Sequence, residues 1–191
     1  MSSQSSTEGG REIFISYRRE DSESNTGRIF DHLTENFSPE TIFKDVDNMP
    51  MGVDFRKHLD QQLTGCRGLL AVIGRQWAEN PRLMDEADFV RNEIEHGLDP
   101  ERDILVVPVL VGNASMPSTD QLPPSLKDFA YRNAIPVRPD PDFHKDMDKL
   151  IKNLEDLLDI PLADEQPAVV KAAEGGDAEA QFNLEFILDR I

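Results

Sequence analysis

The run GLLAVIG at 68–74 constrains this chain most. A strand with one face in water alternates apolar and polar residues. An uninterrupted apolar run is what a central strand needs when helices cover it on both faces. That strand demands a sheet sandwiched between helices, and hence a chain in which strands and helices alternate. The rest of the sequence supplies them. EIFISY at 12–17 is β-branched and aromatic and reads as a buried strand. It ends in a polar loop, RREDS, and a helix follows from about Asn25, with Ile29, Leu33 and Phe37 as its apolar stripe and Phe30 beside it. TIFKDVD at 41–47 is a short second strand running into NMPMG, where Pro50 and Gly52 act as breakers. Phe55, Leu59 and Leu63 mark a second amphipathic helix closed by Gly65. DILVVPVLV at 103–111 and AIPV at 134–137 are the fourth and fifth strands, separated by a long Pro/Ser-rich loop at 112–126. Phe143, Met147, Leu150, Ile151, Leu154 and Leu158 draw a last, strongly amphipathic helix.

Between the central run and the fourth strand lies DFVRNEI at 88–94. It reads as the middle of a helix, with Asn80 and Pro81 as N-cap and first-turn proline and Gly97 and Pro100 as the stop. Val90, Ile94 and Leu98 recur at helical spacing and face a core. Phe89 and Glu93 recur one turn apart on the neighbouring face. Taken alone, such a pair is a core ring and a solvated acid. In a parallel sheet, however, ligands bind beyond the carboxyl ends of the strands. That rim gathers residues 17–21, 45–52 and 74–77 and the start of this helix, which raises Phe89 and Glu93 above the ordinary.

Charge and motif chemistry remove several function classes. The formal net charge of −17 repels nucleic acid and anionic membranes, which need clustered Lys and Arg. Arg18 and Arg19 form the chief local basic spot, enough for a small anionic ligand. No apolar run reaches membrane-spanning length. Residues 1–10 are polar, of low complexity, and read as disordered rather than as a secretory leader. A single cysteine, Cys66, is compatible with a reducing cytoplasm and has burial as its expected role. The turn after the first strand, YRREDS, lacks the glycines of a dinucleotide-binding turn, and no phosphate-cradling loop is present. The third strand ends Ile73-Gly74-Arg75, so it offers no phosphoacceptor aspartate. No His/Cys cluster has metal-ligand spacing, so no metal is expected; the four histidines, at 32, 58, 96 and 144, read as solvated.

Four stretches, FISYRRED at 14–21, FKDVDNMPMGVDF at 43–55, LLAVIGRQW at 69–77 and DFVRNEI, resemble in order and spacing the box motifs of bacterial Toll/interleukin-receptor (TIR) domains. The resemblance covers about residues 11–158. It implies a flavodoxin-like fold, a five-stranded parallel sheet of order 2-1-3-4-5 with helices on both faces. It also implies one of two functions. Enzymatic members cleave the nicotinamide–ribose bond of NAD, with NAD as substrate rather than cofactor, to give nicotinamide and linear or cyclic ADP-ribose. They carry a glutamate in a D-W-V-x-x-E-like setting, onto which Glu93 falls, with Phe89 where many members have Trp. Catalysis in such members depends on self-association, so the resemblance implies a homo-oligomer built through TIR–TIR contacts and a role in bacterial defence or effector signalling. Other members are non-catalytic modules that bind other TIR domains. Tyr17, Arg18 and Arg19 resemble the loop bordering the nucleotide. Phe43 and Asp45 resemble the strand-end pair beside the site, although Phe43 equally suits a core. Gly52 lies in the loop after the second strand, which in the resembled family gates the site and makes subunit contacts. Trp77 reads as packing beneath the rim.

Residues 159–167 read as a linker, and 168–191 as a short helical extension. AAEGGDAEAQFNLEFILDRI resembles the start of a Sel-type, tetratricopeptide-like repeat, matching at Ala173, Gly176, Asp177, Ala178, Ala180, Gln181 and Leu184, with Glu185 in place of the usual glycine. One incomplete repeat cannot bury its own face. Such a tail docks on the main domain, pairs with another chain, stays partly disordered or begins a longer protein.

Overall fold

The computed structural model describes residues 12–44, 59, 61 and 63–163. The elements run β1 (Ile13–Tyr17), α1 (Arg19–Asn36), β2 (Ile42–Lys44), β3 (Gly68–Ile73), a 3-10 turn (Pro81–Met84), α2 (Phe89–Gly97), β4 (Leu105–Val111), a second 3-10 stretch (Pro124–Tyr131), β5 (Ile135–Val137) and α3 (Phe143–Leu158). The strands form one sheet of order β2-β1-β3-β4-β5, and every neighbouring pair is parallel. This is the expected flavodoxin-like order. Leu59 and Leu63, from the expected second helix, are helical and buried. Phe55, the loop with Asp45 and Gly52, and the repeat-like tail lie outside the described residues.

Side-chain alternation along the strands divides the interior into two cores. Ile13, Ile15, Leu70, Val72 and Val109 pack against Ile29 and Leu33 of α1 and Met147, Leu150 and Leu154 of α3. Phe14, Phe43, Leu69, Ala71 and Ile73 face the other way, onto Val90 and Ile94 of α2, Trp77 and Phe129. β3 is buried at all six positions, as its uninterrupted apolar run requires. Gly97 belongs to this packing. A Cβ there would stand 3.0 Å from both Leu69 Cδ1 and Val106 Cγ2, so glycine lets α2 lie close on the sheet.

Three local expectations are corrected. The RREDS stretch is not a loop; α1 begins at Arg19, with Glu20 and Asp21 in its first turn, where carboxylates suit the helix dipole. Asn80 and Pro81 do cap a helix, but it is the separate turn Pro81–Met84, in which the Asn80 side chain accepts from Arg82 N–H. DFVRNEI is therefore the start of a helix and not its middle. Asp88 is the N-cap of α2, its carboxylate accepting from Arg91 N–H. His32 is not simply solvated either, since its ring packs edge-on to Phe143 and His144.

Cys66 is buried, and burial pushes its thiol up to about 11. At the far edge of the sheet, Arg138 ties β5 to α3. Its backbone N–H, Nε and Nη2 donate to the buried Asp146 carboxylate at 3.1, 2.8 and 2.7 Å. These bonds hold the Asp146 carboxyl below its ordinary range. A carboxyl depressed in the folded state contributes stability that is present above its unfolded pKa, about 4, and is lost as pH falls through the lower folded value. Denaturant titrations should therefore find Asp146→Asn less stable than the parent at pH 7, with the gap closing in acid below about pH 4.

Candidate functional site

The site is built where the end of β1 meets the start of α2. Ser16 and Arg18 lie two residues apart and project toward the same side. Each finds an acid on α2. Ser16 Oγ donates to Glu93 Oε2 at 2.5 Å. Arg18 Nη1 and Nη2 donate to Asp88 Oδ2 and Oδ1 at 2.9 and 2.8 Å, a bidentate pair. Ser16, Arg18, Asp88 and Glu93 are all buried. Beneath them lies Trp77, fully buried, with the Arg18 guanidinium carbon 5.7 Å from its ring centroid. Trp77 is thus the packing residue that its sequence position implies.

A buried carboxylate is expensive unless donors compensate it. Asp88 has three N–H donors, two from Arg18 and one from the backbone of Arg91. Glu93 has the Ser16 hydroxyl. Asp88 is neutralised by a cation and fixes the helix start. Glu93 keeps its carboxylate one and a half turns into α2, against the end of the sheet.

The expected site residues divide sharply in this frame. Arg18 is only 2% exposed and committed to Asp88, so its guanidinium braces the wall and does not stand ready for a phosphate. Arg19, the first residue of α1, is exposed. Tyr17 packs with Ile13 and Ile15 on the α1 and α3 side, the opposite sheet face from Glu93. Phe43 is buried on the Glu93 side, its ring centroid 5.0 Å from that of Phe14. Phe89 is 48% exposed and Glu93 4%, reversing the burial that an isolated Phe/Glu pair suggests. Asp45 and Gly52 lie outside the described residues.

Two structural partners went unread in the sequence. Ser16 is one; a hydroxyl inside a fully buried strand needs an acceptor, and that rule was the available signal. Asp21 is the other. Its Oδ2 accepts from Gly74 N–H and its Oδ1 from Gln76 N–H, both at 2.9 Å. A Cβ on Gly74 would fall 2.4 Å from Asp21 Oδ2, so glycine is what admits this carboxylate. Open clefts of about 350 and 310 Å³ adjoin it, both lined by Glu20, Asp21 and Gln76. Neither reaches Glu93, and their acids disfavour an anionic ligand.

Against families of known proteins, the chain matches the model of the TIR domain over residues 13–152. The chain belongs to the TIR-domain family. Among solved structures, this TIR domain is similar to the TIR domains of the activated Roq1 resistosome that directly recognizes the pathogen effector XopQ. The likeness has a TM-score of 0.56 at 16% identity and covers 76% of this chain and 99% of the other, which supports the fold. Comparison with curated proteins gives no match. Among the described residues of the TIR domain, no helix is long and apolar enough to cross a membrane.

Proposed function

We propose that this TIR domain is an NAD glycohydrolase, with Glu93 as the carboxylate on which the reaction depends. The supporting observation is a buried glutamate, one oxygen held by a strand hydroxyl, at the position that the enzymatic motif marks. The nicotinamide of NAD is a cationic leaving group. It departs with the electron pair of the C1′–N bond as neutral nicotinamide, and so needs no general acid. The ribose is left as an oxocarbenium ion, which water captures at C1′, losing a proton to give ADP-ribose. A nucleophile elsewhere in the same ADP-ribose, attacking C1′ in place of water and losing its proton, would give a cyclic product. A carboxylate beside C1′ stabilises the developing positive charge, as in glycoside hydrolysis. Phe89, half-exposed one turn before Glu93, offers a ring face to the cationic nicotinamide. Phe43, Arg19 and the stretch with Asp45 and Gly52 complete the surround, with Tyr17 acting through the strand end that it forms. The reaction belongs in the cytoplasm and is switched on by self-association. The matched Roq1 structure holds TIR domains, in the plural, within one activated resistosome.

A second reading has its own observation. A half-exposed phenylalanine at a helix start equally suits a contact with another TIR domain, which would make the chain a non-catalytic scaffold. Nicotinamide release from NAD by concentrated protein, beside Glu93→Gln, separates the two. Release by the parent alone supports the enzyme. No release from either, with both folded and self-associated, sinks it in favour of the scaffold. Equal release from both assigns the activity to a different residue or a contaminant.

A further inference from the structure

β1 is buried along its interior, and Ser16 is the polar residue within it, 1% exposed. Its backbone lies in the ladder with β3, so the hydroxyl needs a partner of its own. It is satisfied by a residue 77 positions away, Glu93, across 2.5 Å. A contact that short is a strong hydrogen bond. The floor under this contact is shaped for it. Ser16 pairs in register with Ala71 of β3, so the two neighbouring side chains on that face are small, and the glutamate can sink to the sheet. The larger Phe14 and Leu69 pair one step earlier on the same face.

From this geometry we infer that Ser16 is a positioning residue for the proposed NAD cleavage, acting through Glu93. The inference rests on that functional reading. A glutamate has three side-chain torsions, and the last turns freely when nothing holds the carboxylate. The Ser16 bond pins Oε2 to a rigid central strand. The carboxylate plane is thereby set by the sheet and not by the helix alone. Electrostatic help to a transition state falls off with misplacement, and groups held by rigid elements keep their aim. The Arg18–Asp88 pair, two residues on, fixes the helix start, so the helix and its carboxylate are each tied to the same strand.

The test compares Ser16→Ala and Ser16→Thr with the full-length parent, measuring nicotinamide release across NAD concentrations and thermal unfolding of each. Ser16→Ala is expected to lower kcat about 10- to 100-fold with KM within about twofold, because binding is kept while aim is lost. Ser16→Thr keeps the hydroxyl and suits a strand but adds a methyl to a floor of small side chains, and is expected to recover kcat in part, above that of Ser16→Ala. Removing the hydroxyl in a Glu93→Gln background adds no further loss. Full kcat in Ser16→Ala overturns the positioning role and leaves the enzyme standing. So does a loss in Ser16→Ala and Ser16→Thr that tracks their melting temperatures, which marks a merely structural residue. A parent without nicotinamide release overturns the inference together with the function it rests on.

Discussion

Arg18→Leu should be the most destabilising single change in the described part of the site, by about 3–5 kcal/mol, because it leaves the buried Asp88 carboxylate without its cation. Leucine fills part of the space above Trp77, so the loss is chiefly electrostatic. Asp88 would retain its bond from Arg91 N–H, which satisfies one lone pair but not a charge. The pair itself need not add net stability over an apolar substitute, since taking both ions from water is costly. Hence Arg18→Leu with Asp88→Asn should be less damaged than Arg18→Leu alone. Asparagine keeps the N-cap of α2 and removes the stranded charge. Urea titrations of the parent, both single variants and the double variant measure the coupling. If the double variant is as unstable as Arg18→Leu, the stranded-charge account fails and lost packing of the guanidinium takes its place.

Glu93→Gln should lower the rate of nicotinamide release about a thousandfold while leaving the fold intact. The amide has the shape of the carboxylate, and its oxygen still accepts from Ser16. The substitution keeps the volume of a buried side chain. Thermal unfolding is expected to stay within a few degrees of the parent. What disappears is a full negative charge near the developing cation. At about 4 Å and an effective dielectric of about 20, that interaction is worth about 4 kcal/mol, or about three powers of ten in rate. A loss under tenfold, at unchanged stability, would mean that the ribosyl charge is stabilised by some other group.

The fold was legible because its decisive signals are apolar and periodic. The unbroken run of β3, the stripe of α3 and the alternation of strand with helix leave few topologies. Legibility failed where polar residues are buried. Ser22 and Thr26 face inward from α1, so its first turns carry no apolar stripe and RREDS passed for a loop. The start of α2 was misplaced because Asn80-Pro81 is a good cap signal, though it caps a four-residue turn. Asp88, a good cap residue itself, stood inside the motif and was passed over as helix interior. The site was half legible for the same reason. Motif position marked Glu93 and Phe89, but hydrophobicity argued that the ring is inside and the acid outside. The reverse holds because a hydroxyl from β1, far off in sequence, makes the buried acid tolerable. Arg18 looked like a basic spot for a ligand; its partner, seventy positions away, could not be seen from local sequence.

In a sheet of order β2-β1-β3-β4-β5, the chain reverses direction of travel between β1 and β3, and the crevice at that reversal is where doubly wound proteins seat a phosphate or a flavin. Here the backbone donors on its β3 side, Gly74 and Gln76 N–H, are already taken by Asp21. The protein carries its own anion in that seat, covalently attached and never diluted. A nucleotide arriving from solution would have to displace a tethered carboxylate and settle among acids. The seat is thus a rivet between α1 and the end of β3, which leaves the flank of α2 to the proposed NAD cleavage. Where a side chain already fills the crevice of a doubly wound sheet, it tells where not to look for the substrate.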